Sequence, residues 1–339
     1  MPDDIPPAIR AAGHYRPAPP DNDALIQWPQ GFGQCFTVFV DTEEEFDWAA
    51  PLARTSRATT AVTAIPAAHA RFAAAGVPLG FMIDHPIVSD PAAVDILRRV
   101  LDDGQSSIGT QLHPWVNPPF DEVLTPYNSF PGNLPPALEA AKLDVLTAAI
   151  TEAFGKAPRA YRAGRYGIGP DTIGLLARRG YALDSSMRAR YDYSAEGGPD
   201  FSAIGNHAFR LGGLVELPLT TVFTGHFRGQ GASLFPALGR VPRGRGLMAR
   251  SGLLARIALT PEQMPLRDAL QAVQVAVEQG VAVLSFSFHS PSLVPGHTPY
   301  VRDRADLLAF NHWWDGIFAL LDRLGVRPIG LDALIEASR

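Results

Sequence analysis

The sequence is poor in cysteine and in lysine. Its 339 residues include one cysteine, Cys35, so no internal disulfide can form and the fold needs no oxidising compartment. Because Cys35 leads into the apolar run FTVFV (36–40), we interpret it as a small core residue. The positive charge is almost all arginine, since Lys142 and Lys156 are the only lysines. The formal net charge of −5 shows no basic bias, so no nucleic-acid partner is expected.

Long hydrophobic runs are missing as well. No stretch of about 18 apolar residues occurs, so no transmembrane segment is predicted. The N-terminal sequence MPDDIPPAIRAAGHYRPAPPDND has neither the basic nor the apolar region of a signal peptide, so the cytoplasm is the expected location. No glycine-rich phosphate loop is evident, because GRYGIG (164–169) matches neither the dinucleotide nor the P-loop pattern. With 46% hydrophobic and 19% charged residues, the composition is that of a folded globular protein.

What the chain does contain is a regular alternation of short apolar runs and helical stretches. The predicted strands are 36–40, 78–83, 107–112, 159–163, 181–186, 214–219, 281–288 and 327–331. The predicted helices are 57–75, 91–103, 135–154, 170–179, 266–279 and 303–324. Strands that alternate with helices favour a parallel sheet. The expected fold class is α/β, a distorted (β/α) barrel of about seven strands that is closed or slightly broken, with a doubly wound open sheet as the alternative.

Two segments stand outside this alternation. Residues 1–30 are proline-rich and aperiodic, and we expect an arm lying over a barrel domain of residues 31–339. A glycine- and proline-rich insertion around 224–262 carries several arginines, and no acid occurs over 218–260. Two interpretations stay open: a mobile, solvated loop with incidental charge, or a lid that gathers an anionic glycan, a lipid-linked sugar phosphate or an anionic membrane face by peripheral contact. Within it, 247–259 has the pattern of a short amphipathic helix.

Polar residues occur at or just after the carboxyl ends of five predicted strands. They are Asp41, His113, Arg162, Asp184 and His289. In β/α barrels these strand ends form the rim that carries the active site. The agreement of residue type and position predicts that the five side chains share one site.

The carboxylates of VDTEEEFDW (40–48) suit a divided role. Asp41 and Glu43 fall on the same side of the strand if it continues, because side chains alternate with a period of two. One of them then binds a cation while the other acts as a base. The neighbouring Glu44 and Glu45 are interpreted as an exposed acidic loop.

The corner QLHPWVNPPF (111–120) has the spacing of a metal site. His113 and Asn117 are four residues apart, so one helical turn lets both reach a metal. The surrounding prolines stiffen the corner. One imidazole, one amide oxygen and one carboxylate leave coordination positions open for water and substrate, as catalysis requires. The alternative is a structural histidine that forms an ordinary hydrogen bond.

Three further polar residues are candidates for proton transfer and its support. His289 follows the longest apolar strand, and its imidazole suits proton transfer to a leaving amine, although a capping or core histidine fits equally. Arg162 is a candidate for charge pairing with Asp41 or for tying rim loops together. Asp184 is a candidate for orienting the acid histidine or for capping the next turn.

Five segments in order resemble the polysaccharide deacetylases of the NodB-homology type, carbohydrate esterase family 4, and within them the branch named after the polysaccharide-biosynthesis protein WalW. The segments are VDTEEEFDW, QLHPWVNPPF, YRAGRYG, LDSSM and FSFHSPSLVPGHTPY, which span residues 40–300. The resemblance implies a distorted (β/α) barrel, a divalent metal that is usually zinc, and hydrolysis of an N-acetyl group from a sugar in a glycan.

By position, the resemblance assigns roles to seven residues. It implies Asp41 as the base, Glu43 as the first metal carboxylate, His113 and Asn117 in the places of two metal histidines, Arg162 as support of the base, His289 as the acid and Asp184 as its partner. The sequence departs from the family in three ways: its two acids are separated by one residue, an asparagine replaces a histidine, and no proline follows the arginine. An amide is a weaker transition-metal ligand than an imidazole.

Aromatic residues complete the expected site. Trp115 and Tyr127 are candidates for stacking on sugar rings, and the backbone N–H near Tyr166 is a candidate oxyanion donor. The expected function is a metal-dependent hydrolase that removes acetyl groups from a surface or exopolysaccharide or its lipid-linked precursor. The alternatives are an amidase acting on a small non-sugar amide and a catalytically silent carbohydrate-binding protein.

Overall fold

A computed structural model describes residues 14–339, so residues 1–13 of the predicted arm lie outside the described residues. The described strands are β1 (Cys35–Thr42), β2 (Leu79–Ile83), β3 (Ser107–Leu112), β4 (Ala160–Ala163), β5 (Leu183–Asp184), β6 (Phe209–Leu211), β7 (Leu214–Glu216), β8 (Thr221–Thr224), β9 (Ala255–Ala258), β10 (Val283–His289) and β11 (Arg327–Pro328). The described helices are α1 (Ile65–Ala74), α2 (His85–Ser89), α3 (Pro91–Leu101), α4 (Pro136–Phe154), α5 (Thr172–Ala177), α6 (Gly231–Leu238), α7 (Gly244–Arg250), α8 (Leu266–Glu278), α9 (Arg304–Arg323) and α10 (Leu331–Ala337). Among them, no helix has both the length and the apolarity to cross a membrane.

Nine of the described strands form one curled sheet. Its order is β10-β1-β2-β3-β4-β5-β7-β6, with β11 also beside β1. From β10 to β7 every neighbouring pair is parallel, whereas β6 runs antiparallel to β7. The segment that follows β7 connects the two edges of the curled sheet, since Leu219 N donates to Met187 O after β5 and Thr220 N donates to Ser285 O of β10. The predicted α/β fold, a distorted and incompletely closed barrel of about seven parallel strands, is confirmed.

The alternation of side chains along the strands creates two hydrophobic clusters. Phe39, Met82 and Leu183 lie on one face of the sheet and pack with Leu331 and Leu334 of α10. Residues that alternate with them belong to the larger cluster beneath the outer helices: Phe36, Val38, Val40, Phe81 and Ile83. Because both faces are covered, β1 is apolar along most of its length. The face of Phe39 is the face that carries the site, since Asp41 follows two residues later.

Side-chain caps set the helix starts near the strand ends. Asp84 caps α2, since its Oδ1 accepts a hydrogen bond from Ile87 N at 3.0 Å. Asp90 caps α3 through Ala92 N, and Pro91 occupies the first turn of that helix. These local signals fix where the chain turns from each strand into its helix.

The described part of the arm lies against the edge of the sheet. Ile26 N donates to Ala208 O at 3.0 Å, and Leu25 forms a bridge with Phe209 of β6. The buried side chain of Ile26 joins the cluster that contains Phe39. The division of the chain into an arm and a barrel stays a prediction.

The basic insertion is folded rather than irregular. β8 and β9 pair antiparallel, and α6 and α7 pack beside them around Phe223, Phe235 and Leu254. The helix predicted over 247–259 is wrong in extent, because α7 ends at Arg250 and β9 follows it. Pairing of β9 with β8 overrides the helical pattern of this sequence.

Candidate active site

A cavity of about 600 Å³ opens at the carboxyl ends of β1, β3, β4 and β10. Its polar wall includes Asp41, Glu43, Gln111, His113, Arg162 and His289. Asp41 and Glu43 at the end of β1, and Gln111 and His113 at the end of β3, are each two positions apart, so the period of two turns both members of each pair to the same face of the sheet. Four of the five predicted strand-end residues therefore converge on one cavity, and Asp184 does not.

Asp41 lies between a histidine and an arginine. Parallel pairing of β1 with β10 places Asp41 opposite His289, and Asp41 Oδ2 lies 3.8 Å from His289 Nε2. Arg162 Nη1 donates to Asp41 Oδ1 at 2.5 Å, while its Nε donates to Ser185 O at 3.1 Å. The arginine and aspartate side chains are 0% and 2% exposed. Because this charge-assisted hydrogen bond is buried from solvent, it holds the Asp41 carboxylate in one orientation.

Glu262 is the hydrogen-bond partner of His289. Glu262 Oε2 lies 2.7 Å from His289 Nδ1, and its Oε1 accepts from His289 N at 3.0 Å and from Ser292 Oγ at 2.6 Å. Although burial opposes protonation, Glu262 and Glu43 raise the pKa of His289 to about 10. The imidazole is therefore cationic at neutral pH. Sequence reasoning missed Glu262, because it lies at the end of the insertion and no local pattern connects it with His289.

The imidazole of His113 separates a buried acidic network from the cavity. Its Nδ1 lies 2.8 Å from Glu44 Oε2 and 3.8 Å from Asp84 Oδ2, whereas its Nε2 lies 3.6 Å from Glu43 Oε2. Trp115 stacks on the ring at 4.3 Å between centroids and donates its Nε1–H to Glu44 Oε1 at 2.7 Å. These contacts fix the ring with Nε2 on the cavity side.

Glu44 is fully buried and Glu45 half-buried, which corrects the expectation of an exposed acidic loop. Burial raises the pKa of Glu44 to about 8 and the pKa of Asp84 well above its usual range. Glu44, Asp84 and His113 bring three potential ligand atoms within 4.8 Å of one another, so this group is one candidate for a metal. The four carboxylate oxygens of this group already have partners. Those of Glu44 contact the His113 ring and the Trp115 indole, and those of Asp84 accept from the backbone N–H groups of Glu44 and Ile87.

On the cavity side of His113, two buried oxygens have no hydrogen-bond partner among the described residues. Gln111 Nε2 donates to Glu43 Oε2 at 3.1 Å, which leaves Glu43 Oε1 and Gln111 Oε1 unsatisfied. Burial raises the pKa of Glu43 to about 7. Buried oxygens of this kind need a partner, and a cation beside an imidazole nitrogen supplies one. Sequence reasoning missed Gln111, although it stands two residues before His113 and therefore on the same face.

Asn117 does not line the cavity. The backbone makes the expected turn, since Asn117 N donates to His113 O at 3.1 Å. The side chain, however, donates its Nδ2–H to Lys142 O of α4 at 3.0 Å. The buried Nζ of Lys142 in turn donates to the carbonyl oxygens of Pro114, Asn117 and Pro119. Asn117 and Lys142 thus hold the corner that carries His113.

Asp184 is turned away from the cavity, which corrects its expected place beside His289. The neighbouring Ser185 accepts from Arg162 Nη2 on the cavity face, so the alternation directs Asp184 to the opposite face. There it pairs in register with Glu216 of β7 and accepts a hydrogen bond from Ser186 Oγ. Burial raises the pKa of both acids.

Aromatic side chains form another part of the cavity wall. Trp48 and Tyr300 meet at 5.4 Å between ring centroids, and Tyr166 also lines the cavity. Trp115 touches the cavity but is only 1% exposed, and Tyr127 does not line it. The half-exposed Trp48, which stands in the VDTEEEFDW segment, therefore presents an accessible ring to the cavity, whereas neither predicted residue does.

Two consecutive residues after β4 have left-handed backbone conformations. Arg165 has a φ of 54° and Tyr166 a φ of 59°. Such conformations cost energy in residues with side chains and tend to occur at functional sites. Arg165 is tied down by hydrogen bonds to Glu196 Oε2 at 2.7 Å and to Ser129 Oγ at 2.6 Å. This turn brings Tyr166 to the cavity wall.

Comparison with known proteins identifies the fold. No protein-family model and no curated protein matches the chain. The crystal structure of a protein described as a polysaccharide deacetylase, from Mycobacterium smegmatis, matches with a TM-score of 0.53 at 17% identity over 95% of this chain and 94% of that chain. The chain has the polysaccharide deacetylase fold. A protein described as a glycoside hydrolase/deacetylase, from Parabacteroides distasonis, matches with a TM-score of 0.56 at 10% identity over 92% of this chain and 72% of that chain.

The same fold also occurs in a protein named for another activity. Puue allantoinase matches with a TM-score of 0.51 at 12% identity, over 91% of each chain. At these identities the likeness establishes the fold, and the activity has to be argued from the site.

Proposed function

We propose that the protein is a metal-dependent hydrolase that removes acetyl groups, above all N-acetyl groups, from a sugar of a surface or exopolysaccharide or of its lipid-linked precursor. The observation that supports this most is the convergence of Asp41, His113 and His289 on one cavity, each held by a buried hydrogen-bond partner. A base, a metal-ligating imidazole and a protonated acid are the groups that hydrolysis of an acetamide requires.

Glu43, Gln111 and His113 are the residues that would hold the cation. The unpartnered oxygens of Glu43 and Gln111 lie on the side of the ring to which Nε2 points, so the donor set fits a metal. We propose zinc, because imidazole and carboxylate are its usual ligands beside sulfur. A divalent cation bound there supplies a Lewis acid that lowers the pKa of a water and polarises the acetamide carbonyl. Glu44, by contrast, orients the ring through Nδ1, as carboxylates commonly do behind a metal-binding histidine.

Asp41 is the proposed base that accepts a proton from the attacking water. Its Oδ1 is engaged by Arg162, so Oδ2 remains for the water. Arg162 acts as a positioning residue, because its further hydrogen bond to Ser185 O fixes the guanidinium itself.

His289 is the proposed acid that protonates the leaving amine as the carbon–nitrogen bond breaks. With a pKa of about 10, the ring holds its proton at neutral pH until a basic amine forms next to it. Glu262 occupies Nδ1 and so leaves Nε2–H as the acidic group. The backbone N–H near Tyr166 is the proposed donor to the carbonyl oxygen as its negative charge develops, and such a donor contributes about 3 kcal/mol.

The proposal of a sugar substrate is supported by the aromatic part of the cavity wall. Trp48 and Tyr300 are the proposed stacking surface for a sugar ring, in place of Trp115 and Tyr127. We propose a role in polysaccharide biosynthesis because the five segments resemble the WalW branch, and we propose the cytoplasm as the location.

We also propose peripheral contact of the insertion with an anionic membrane face, where a lipid-linked sugar would be presented. Val241 and Leu247 are 56% and 65% exposed, and Arg240, Arg243 and Arg250 are exposed around them in a stretch without acids. Each basic residue near such a surface contributes about 1 kcal/mol. Replacing the three arginines by glutamine should abolish co-sedimentation with phosphatidylglycerol vesicles, and unchanged binding would contradict the contact.

Acetate release from a panel of acetylated sugars tests the proposed function. Zinc-loaded protein should release acetate from N-acetylated glycans and fail on small non-sugar amides. Asp41→Asn should abolish turnover and leave the circular dichroism spectrum unchanged. Hydrolysis of small amides alone would favour the amidase. We keep this alternative because the chain shares its fold with the allantoinase. A purified protein that binds no metal and releases no acetate would favour the silent binding protein.

A further inference from the structure

Arg188 is a cation in the cavity wall without an acidic partner. Two other arginines of that wall are paired, Arg162 with Asp41 and Arg165 with Glu196. Arg188 lines the same cavity but forms no ion pair with any acid among residues 14–339. A partly buried guanidinium that lacks a counter-charge is costly, and it indicates a negative charge supplied by a ligand.

Aromatic rings hold the guanidinium instead of carboxylates. Arg188 Cζ lies 4.0 Å from the ring centroid of Tyr191 and 5.6 Å from that of Tyr166. The ring of Tyr193 stacks against both tyrosines, at 5.9 and 5.7 Å between centroids. Its hydroxyl is buried and has no hydrogen-bond partner among the described residues, although Tyr193 lines the cavity. Stacking of this kind holds the guanidinium of Arg188 by its face, so that the N–H groups at its edge can be offered to a ligand beside the Tyr193 hydroxyl.

A second arginine contacts Tyr191 from outside the lining of this cavity. Arg256 of β9 lies 3.5 Å from the ring centroid of Tyr191 and donates its Nη1–H to Arg190 O at 2.8 Å. It lines a neighbouring pocket together with Asp192 and Asp200. The ring of Tyr191 is thus held between contacts with two guanidinium groups, of which only that of Arg188 belongs to the cavity wall.

We propose that Arg188 and the Tyr193 hydroxyl form a subsite for an anionic group of the sugar substrate, a carboxylate or a phosphate. The planar guanidinium binds either group through two parallel hydrogen bonds, and the hydroxyl donates a third. This subsite rests on the proposed function, since it places the anionic group in the same cavity as the acetyl group to be removed. The protein then selects charged glycan units over neutral ones.

Equilibrium binding of sugars that lack an acetyl group tests the subsite without turnover. The probes are cellobiose against cellobiouronic acid, and glucose against glucose 1-phosphate. Isothermal titration of the zinc-loaded protein should show at least one anionic sugar binding about tenfold or more tighter than its neutral partner. Arg188→Gln should remove that preference, and Arg188→Lys should retain part of it, because the charge stays and the planar fork is lost. Arg178→Gln, an exposed arginine, is the matched control and should behave as wild type.

The outcomes separate the subsite from the deacetylase. Equal affinity for neutral and anionic sugars, or a preference that survives in a folded Arg188→Gln protein, overturns the subsite. A preference in only the carboxylate arm or only the phosphate arm identifies the group that Arg188 binds. A protein that binds anionic sugars through Arg188 but releases no acetate would overturn the proposed function alone, and an active deacetylase indifferent to sugar charge would overturn the subsite alone.

Discussion

Glu262 Oε2 and His289 Nδ1 lie 2.7 Å apart in a buried setting, and each sets the charge of the other. Burial opposes ionisation of Glu262, but His289 and its hydrogen bonds lower the pKa of that carboxyl below its usual value. Glu262 and Glu43 in turn raise the pKa of His289 against the effect of burial. The pair therefore stays ionised at neutral pH, and His289 keeps the proton that the proposed reaction needs.

Replacing Glu262 by glutamine should lower the pKa of His289 from about 10 toward its ordinary value of 6.5. A drop of about 1–3 units is expected, because the ring loses its nearest counter-charge. Titration of the ring protons by NMR measures the change. Glu278→Gln removes an exposed carboxylate and should leave the titration unchanged. An unaltered His289 titration in Glu262→Gln would show that this carboxylate does not set its charge.

The site residues that could be predicted are those whose position along a strand determines which face of the sheet the side chain takes. Asp41, His113 and His289 each follow a strongly apolar strand, so both the strand end and its inward face can be read from the sequence. Asp184 shows where this fails. The predicted strand covers 181–186, whereas the observed strand spans only Leu183–Asp184. In so short a strand the sequence does not determine which residues face the cavity, and a shift of one residue exchanges the two faces of the sheet.

Other members of the site could not be predicted because tertiary contacts alone bring them there. Glu262 meets His289 only after the folded insertion returns the chain to the barrel. Glu44 looks like one of several acids in a polar loop, yet Trp115 and Asp84 enclose it. A periodic pattern records which face a residue takes, but not which distant element covers it.

A methyl group at Gly164 should displace His113. A Cβ there would lie 2.5 Å from His113 Cδ2 and 2.5 Å from Leu112 O, so either the ring or the end of β3 must move. Gly164→Ala is expected to cost about 1–3 kcal/mol of unfolding free energy and to weaken zinc binding about tenfold or more, because Nε2 is turned from its place. Urea unfolding and zinc titration measure the two effects. Gly229→Ala adds a methyl group in open space and should change neither; full zinc affinity in Gly164→Ala would refute the steric argument.

The buried pair Asp184 and Glu216 should make the protein less stable as the pH rises. Burial raises the pKa of both, and one oxygen of each lacks a partner, so a shared proton supplies the missing hydrogen bond. A carboxyl whose pKa is raised on folding contributes its full stability below its unfolded pKa, 4.5 for Glu216, and loses it as the pH rises through the folded value. Glu216→Gln cannot ionise and keeps an oxygen for Met187 N, so its stability should fall less.

Urea unfolding at about pH 5, 7 and 9 compares the two proteins, and the difference between them isolates this pair from other buried acids. Glu278→Gln, which removes an exposed carboxylate, should keep the wild-type profile. Parallel profiles for wild type and Glu216→Gln would mean that the two carboxyls do not share a proton.

Replacing Lys142 should strongly destabilise the corner of the chain that carries His113. Its Nζ donates to Pro114 O at 3.0 Å and to Asn117 O at 2.7 Å, and it lies 3.2 Å from Glu122 Oε1, with the lysine side chain 0% exposed. Lys142→Met has a similar volume but leaves these acceptors buried without a donor, so a loss of about 3–5 kcal/mol is expected in urea unfolding. The chain's other lysine is the matched control: Lys156 pairs with Asp332 at the surface, and Lys156→Met should cost little. Equal losses in the two variants would mean that the corner is held by its prolines alone, and a stable Lys142→Met protein with full zinc affinity would mean that His113 needs no such anchor.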